Sequence, residues 1–85
     1  MRRKNKTNII ISFVAYMGNS PYQINLSQYF FGNTYFSLAE YNNENNWENI
    51  KIMIANNVNK ANKAESGDPR YVYSENIVIL NVLEN

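Results

Sequence analysis

Alternation of apolar and polar side chains through the first half of the chain constrains its fold more than any other feature. Three successive runs alternate in this way, 7–17, 22–31 and 34–41. A strand places alternate side chains on opposite faces, whereas an amphipathic helix repeats its apolar side chains about every 3.6 residues. We therefore predict a β-strand in each of the three runs.

Two Gly-Asn pairs, at 18–19 and 32–33, separate these runs. Glycine tolerates the positive φ that two-residue hairpin turns require, and Gly-Asn is a frequent sequence for such turns. When both pairs are treated as hairpin turns, the two registers agree, and the apolar rows of all three strands fall on one face. This agreement predicts an antiparallel meander.

A helical period replaces the alternation after residue 46. Asn45 with Glu48 fits an N-cap with its capping-box partner, and Gly67 followed by Pro69 fits a helix end. We expect Trp47 to anchor this amphipathic helix to the sheet. Its apolar stripe consists of Trp47, Ile50, Ile54, Val58 and Ala61.

The last segment, 71–83, is again rich in β-formers, and 77–83 is apolar at nearly every position. Such a run suits a strand that is covered on both faces. Returning from the helix, it would lie beside the first strand and run parallel to it. The predicted fold is α+β in the order βββαβ, with the strands arranged 3-2-1-4.

Eighty-five residues leave no room for a second core. We expect a single α+β domain over 7–85, preceded by a flexible basic N-terminus at 1–6. No segment approaches the roughly 20 apolar residues of a membrane span. The basic start and the apolar run after it lack the small-residue cleavage motif of a signal peptide, so we expect neither cleavage nor a membrane.

The composition argues against an enzyme. The chain contains no His and no Cys, which removes imidazole bases, thiolate nucleophiles and zinc clusters. Its three glycines lie apart, so there is no phosphate-binding loop. Glu40, Glu44 and Glu48 are most simply solvated charges around a helix start. We expect no catalytic, cofactor-binding or metal-binding residues, and no cofactor.

One helix cannot cover both faces of a four-stranded sheet, so the predicted register leaves a second apolar face. A contiguous aromatic surface of this kind usually marks an interface. On that face the register places Ile10 and Val14 beside five residues that we predict to bind a partner: Tyr16, Tyr29, Phe31, Phe36 and Leu38.

These features favour a small non-enzymatic binding protein that acts through protein–protein contact. Seventeen of the eighty-five residues are Asn, and abundant Asn, Lys, Ile and Tyr is what an AT-rich genome encodes. Such a genome suits a phage or mobile-element inhibitor of a host or defence protein. The absence of Cys fits a cytoplasmic location.

Two alternative functions remain open. The sheet-face aromatics could stack the bases of single-stranded nucleic acid, with phosphate contacts from Arg2, Arg3, Lys4 and Lys6. A net charge of +1 and the lack of a basic groove count against this hypothesis. Alternatively, the apolar faces or edge strands of identical chains could meet in a homo-oligomeric scaffold.

Overall fold

Three strands and two helices follow one another in the computed structural model, which describes residues 8–43 and 46–84. In chain order they are β1 (Asn8–Ser20), β2 (Gln23–Ser37), α1 (Leu38–Asn43), α2 (Trp47–Asn62) and β3 (Val72–Glu84). The predicted flexible segment 1–6 lies outside the described residues.

The strands form a single sheet in the order β2-β1-β3, and β1 pairs antiparallel with both neighbours. The α+β class is therefore confirmed, as is the position of the first strand beside the last. The predicted strand count and the order 3-2-1-4 are wrong. Both errors come from one place in the sequence, the pair Gly32-Asn33.

Gly32 lies within β2 and makes no turn. It pairs with Phe13 across the sheet, and a Cβ built on Gly32 would lie 2.7 Å from Cζ of the Phe13 ring. The missing side chain makes room for this ring, a role that glycine often has opposite an aromatic residue in a sheet. The two strands predicted on either side of Gly32 are therefore one continuous strand.

The reversal between β1 and β2 also differs from the prediction. The chain turns at 21–22, beyond Gly18-Asn19, where Pro21 fits the fixed φ of a turn. Gly18 lies in β1, where a Cβ would come within 2.7 Å of the Ile24 Cα. Glycine is needed here because the two backbones approach each other closely.

Merging two predicted strands into one reverses the direction in which the chain enters the helix. After three strands, the returning strand would run parallel to β1. After two strands, it runs antiparallel to β1, as β3 does. β2 and β3 are consequently parallel to each other with β1 between them, and the helical segment crosses over β1 to connect them.

The segment predicted as the end of a third strand is instead the short helix α1. Ser37 and Glu40 form a reciprocal capping box, in which the Glu40 N–H donates to Ser37 Oγ (3.1 Å) and the Ser37 N–H donates to Glu40 Oε1 (2.9 Å). These two bonds satisfy backbone donors at the start of the helix. Local hydrogen bonding therefore outweighs the alternating pattern from Leu38 onwards.

The core lies between α2 and one face of the sheet. Ile50, Ile54 and Ala55 are buried, and Met53 and Val58 pack beside them, close to the predicted stripe. The ends of that stripe do not belong to the core. Trp47 is 42% exposed and packs edge-on against Tyr41, with ring centroids 6.3 Å apart, and Ala61 is exposed.

Both ends of α2 differ from the prediction by a few residues. Asn46 is the N-cap, and its side chain accepts from the Glu48 N–H at 2.8 Å; the predicted cap, Asn45, lies outside the described residues. At the other end Lys63 adopts a left-handed conformation with φ 55°, and the Ala64 N–H donates to the Asn59 carbonyl. This is a Schellman ending, and it comes before Gly67.

Asn59 fixes the start of β3 to the helix. Its side chain is buried and forms two hydrogen bonds with the backbone of Val72, as a neighbouring strand would. Asn59 Nδ2 donates to the Val72 carbonyl, and the Val72 N–H donates to Asn59 Oδ1, both at 2.8 Å. The pair of bonds satisfies a buried backbone donor and a buried backbone acceptor, so the first residue of β3 is held at a defined distance from α2.

Candidate protein-interaction face

The side of the sheet away from α2, named the open face here, is built from alternate residues of all three strands. Because β1 lies in the middle, each of its outward residues has a neighbour on one or both sides. The cross-strand rows are Ile10 with Tyr35 and Leu83, Ser12 with Asn33 and Asn81, Val14 with Phe31 and Val78, and Tyr16 with Tyr29.

Three aromatic rings form a connected cluster at one end of the open face. Tyr29 lies 5.7 Å from Tyr16 and 5.6 Å from Phe31, measured between ring centroids, and it meets Phe31 edge-on at 82°. Val14 beneath them is buried although no helix covers it, whereas Phe31 is 68% exposed. The rings therefore pack against one another, while Tyr29 and Phe31 keep much of their surface exposed.

A polar row divides this face into two apolar patches. The Ser12 hydroxyl donates to Asn33 Oδ1 at 2.7 Å, and Asn81 Oδ1 accepts from the Val82 N–H at 2.9 Å. The smaller patch beyond this row contains Ile10, Tyr35 and Leu83, and both Tyr35 and Leu83 are exposed. The open face therefore consists of two apolar patches separated by a hydrogen-bonded polar row.

Charge is absent from the open face within the described part of the chain. None of the residues in its cross-strand rows is Asp, Glu, Lys or Arg. The described residues of this face therefore offer apolar contacts and hydrogen bonds.

The structure brings together three of the five predicted partner-binding residues, Tyr16, Tyr29 and Phe31. The prediction that Phe36 shares their face is wrong, because Phe36 pairs with Ile9 on the covered face and is only 5% exposed. In a continuous strand, residues 31 and 36 are an odd number of positions apart and point to opposite sides.

Leu38 does not belong to the open face either. It is the first residue of α1 and follows the end of β2. The four predicted nucleic-acid contacts, Arg2, Arg3, Lys4 and Lys6, lie outside the described residues.

Sequence reasoning missed Tyr35, which lies beside Ile10 on the open face. Tyr35 is an even number of positions from Phe31, so an uninterrupted strand would have placed the two residues on one face. The signal was present in the alternation, and the assignment of Gly32-Asn33 to a turn concealed it.

A groove lies on the covered side of the sheet, between α2 and β2. It has a volume of about 250 Å³, and among its lining residues are Phe13, Phe30, Thr34, Ile54 and Val58. The groove exists because α2 packs against β3 and leaves part of β2 uncovered. Its lining contains no titratable side chain and combines apolar residues with polar ones, among them Asn57 and Asn62 of α2.

Asp68 lies in the loop between α2 and β3. A side-chain hydrogen bond from Arg70, joined by one from the Arg70 backbone N–H, lowers the pKa of Asp68 below its ordinary value. Because the Asp68 carboxylate accepts from the backbone N–H two residues on, Asp68 acts as a turn residue.

Over residues 8–43 and 46–84, no group of three or more His, Cys, Asp or Glu side chains is placed to hold a metal ion. Neither helix in the same residues has the length and apolar character needed to cross a bilayer. No protein family, curated protein or solved structure matches the chain.

Proposed function

We propose that the protein is a non-enzymatic binding protein that contacts another protein through the open face of its sheet. The observation that carries this proposal is a pre-arranged aromatic cluster, Tyr16, Tyr29 and Phe31, exposed on a face without charge in the described residues. Tyr and Phe are enriched in the buried centres of interfaces, where charged residues are depleted. A contiguous exposed apolar patch of this kind usually marks an interaction site.

The geometry of the rings favours a protein over single-stranded nucleic acid. Base stacking needs the flat side of a ring to be accessible, usually next to a cation that holds the phosphate. Here Tyr29 is tilted at 54° to Tyr16 and stands at 82° to Phe31, so the rings pack against each other. The open face also lacks Lys and Arg in the described residues.

The setting that we propose follows from composition. A chain of this size that is rich in Asn, Ile and Tyr suits a phage or mobile element, and the partner would then be a host or defence protein whose surface this protein occupies. A chain without Cys suits the cytoplasm, where thiols stay reduced.

The proposal is tested by affinity capture with two variants matched in exposure. Phe31 lies in the open face and is 68% exposed, whereas Leu26 is 67% exposed but lies in a stretch of β2 that has no partner in β1. We expect Phe31→Ser to lose a protein that the wild type and Leu26→Ser both capture from a host lysate. Equal capture by all three proteins would contradict the proposal.

The nucleic-acid alternative is tested separately by fluorescence anisotropy with a single-stranded oligonucleotide. We expect no binding at low salt. Binding that is tight at about 50 mM salt and falls steeply by about 200 mM would show that phosphate contacts dominate, and would favour the alternative.

A further inference from the structure

The outer edge of β2 is exposed as a row of backbone donors and acceptors. In the described part of the chain β2 pairs with β1 on one side and with no strand on the other. Its pairing with β1 is continuous from Ser37 to Tyr29, so this half of the strand is regular. A regular free edge is a template for pairing with another strand.

β2 carries none of the residues that usually protect such an edge. It is 15 residues long and contains no charged residue and no proline. Natural sheets protect long edges with charges, proline, bulges or a covering element, because an unprotected edge pairs with other chains. The bulged stretch 25–28 interrupts only the beginning of the strand, before the regular part.

The other edge of the sheet, β3, is protected. It contains Glu75 and Glu84, and one of its two register shifts with β1 lies well inside the strand, between Asn81 and Ile79, whereas both shifts of β2 lie near its beginning. Two copies that met along β3 would bring these carboxylates together, and the irregular backbone would interrupt the hydrogen bonds between them. The two edges of one sheet therefore differ in their capacity to accept another strand.

We propose that β2 pairs antiparallel with β2 of a second copy of this chain, about a two-fold axis, so that the two three-stranded sheets become one. An antiparallel pair of identical strands satisfies the symmetry of a closed dimer, since each residue i facing j implies that j faces i. The uncharged strand meets its copy without like-charge repulsion. The dimer leaves only the protected β3 edges free, so assembly stops at two chains.

The register of this pair follows from the extent of the regular segment. Full overlap of 29–37 with its copy places the axis at Asn33, so that Phe31 faces Tyr35 of the second copy on the open face. Aromatic pairs across antiparallel strands stabilise a sheet. On the other face the same register sets Phe30 opposite Phe36 of the second copy, and Gly32 opposite Thr34 of the second copy.

The pairing uses the backbone edge of β2, so it does not depend on which partner binds the open face. It would join two open faces into one surface in which the aromatic rows of both copies are neighbours. A partner would then meet a wider aromatic platform than a single chain offers.

The first test is the mass of the full-length chain in solution, measured by light scattering after size exclusion from micromolar to millimolar concentration. We expect the mass of two chains at the upper end of this range. The mass of one chain throughout would overturn the inference.

Two asparagines provide a matched pair of variants, because Asn33 and Asn81 flank Ser12 in the same row of the open face, one on each edge strand. Both are exposed, and each accepts one hydrogen bond. Asn33→Lys would set two like charges against each other at the axis, and we expect it to weaken self-association by about tenfold or more. We expect Asn81→Lys to leave self-association within about twofold of the wild type.

Disulfide trapping tests the register, since the natural chain has no Cys. At the axis, Asn33→Cys brings two Cα atoms to about 4.5–5.5 Å, within the range that a disulfide spans. We expect this variant to cross-link under mild oxidation and Asn81→Cys to remain uncross-linked. Equal cross-linking by both variants, or equal loss of dimer with both lysines, would show that the open faces meet instead, and would overturn edge pairing.

Discussion

The two faces of the sheet are similarly apolar, yet only one of them is covered. Along β1, Ile9, Ile11 and Ala15 are buried under α2, whereas Ile10 and Tyr16, which point the other way, are covered only by their neighbours in the sheet. Adjacent residues of β2 show the contrast most strongly, with Phe36 at 5% exposure and Tyr35 at 67%. The sequence pattern therefore shows that both faces are apolar, and the topology determines which of them the helix covers.

The largest expected effect separates these two neighbours. Phe36→Ala removes a ring from the core and should lower the free energy of unfolding by about 3–5 kcal/mol. Tyr35→Ala removes an exposed ring and should cost less than about 1 kcal/mol. Urea unfolding of both variants at a concentration where the chain is monomeric gives the two values. Similar costs would mean that the two faces do not differ in burial.

A second prediction concerns the polar link that holds the covered face together. Asn59→Ala leaves the Val72 N–H and carbonyl without their partners, and both groups are buried at the start of β3. We expect a loss of about 2–3 kcal/mol in unfolding free energy.

Asn56, an exposed asparagine on the same helix, is the control for that variant. Asn56→Ala should leave stability unchanged or raise it by a few tenths of a kcal/mol, because Ala has the higher helix propensity. If Asn56→Ala costs as much stability as Asn59→Ala, the cost of Asn59→Ala comes from a change in the helix and not from the lost hydrogen bonds to Val72.

A third prediction tests the position of Gly32 on the covered face. Gly32→Ala places a methyl group against the Phe13 ring and should cost about 1–3 kcal/mol. Phe13→Leu removes the end of that ring, so the double variant should lose less than the sum of the two single losses. Chemical denaturation of all four proteins completes the cycle. Additive losses would place Gly32 away from Phe13, as the hairpin interpretation did.

Much of the covered face was predictable because its signals are local. The alternation in β1 and the spacing of Ile50, Ile54 and Val58 each depend on a few neighbouring residues, and the structure agrees with both. The existence of a second apolar face also followed from the sequence, because one helix cannot cover a whole sheet.

The errors arose where one sequence signal serves two structures. Gly-Asn is a frequent turn sequence, but the reason for Gly32 is the ring of Phe13, which is distant in sequence and invisible to a local pattern. That single error displaced Phe36 to the wrong face, concealed Tyr35 and reversed the last strand. The Ser37–Glu40 capping box was recognisable in the sequence, and it would have predicted a helix after Ser37 in place of the end of a third strand.

The most direct test of the division between the faces measures stability and capture in one preparation of Phe31→Ser. We expect its unfolding free energy to lie within about 1 kcal/mol of the wild type, while capture of the partner is lost and Leu26→Ser retains both properties. A Phe31→Ser variant that unfolds much more easily would show that the open face is structural, and one that still captures the partner fully would show that this face does not bind. Either result would contradict the division between the two faces.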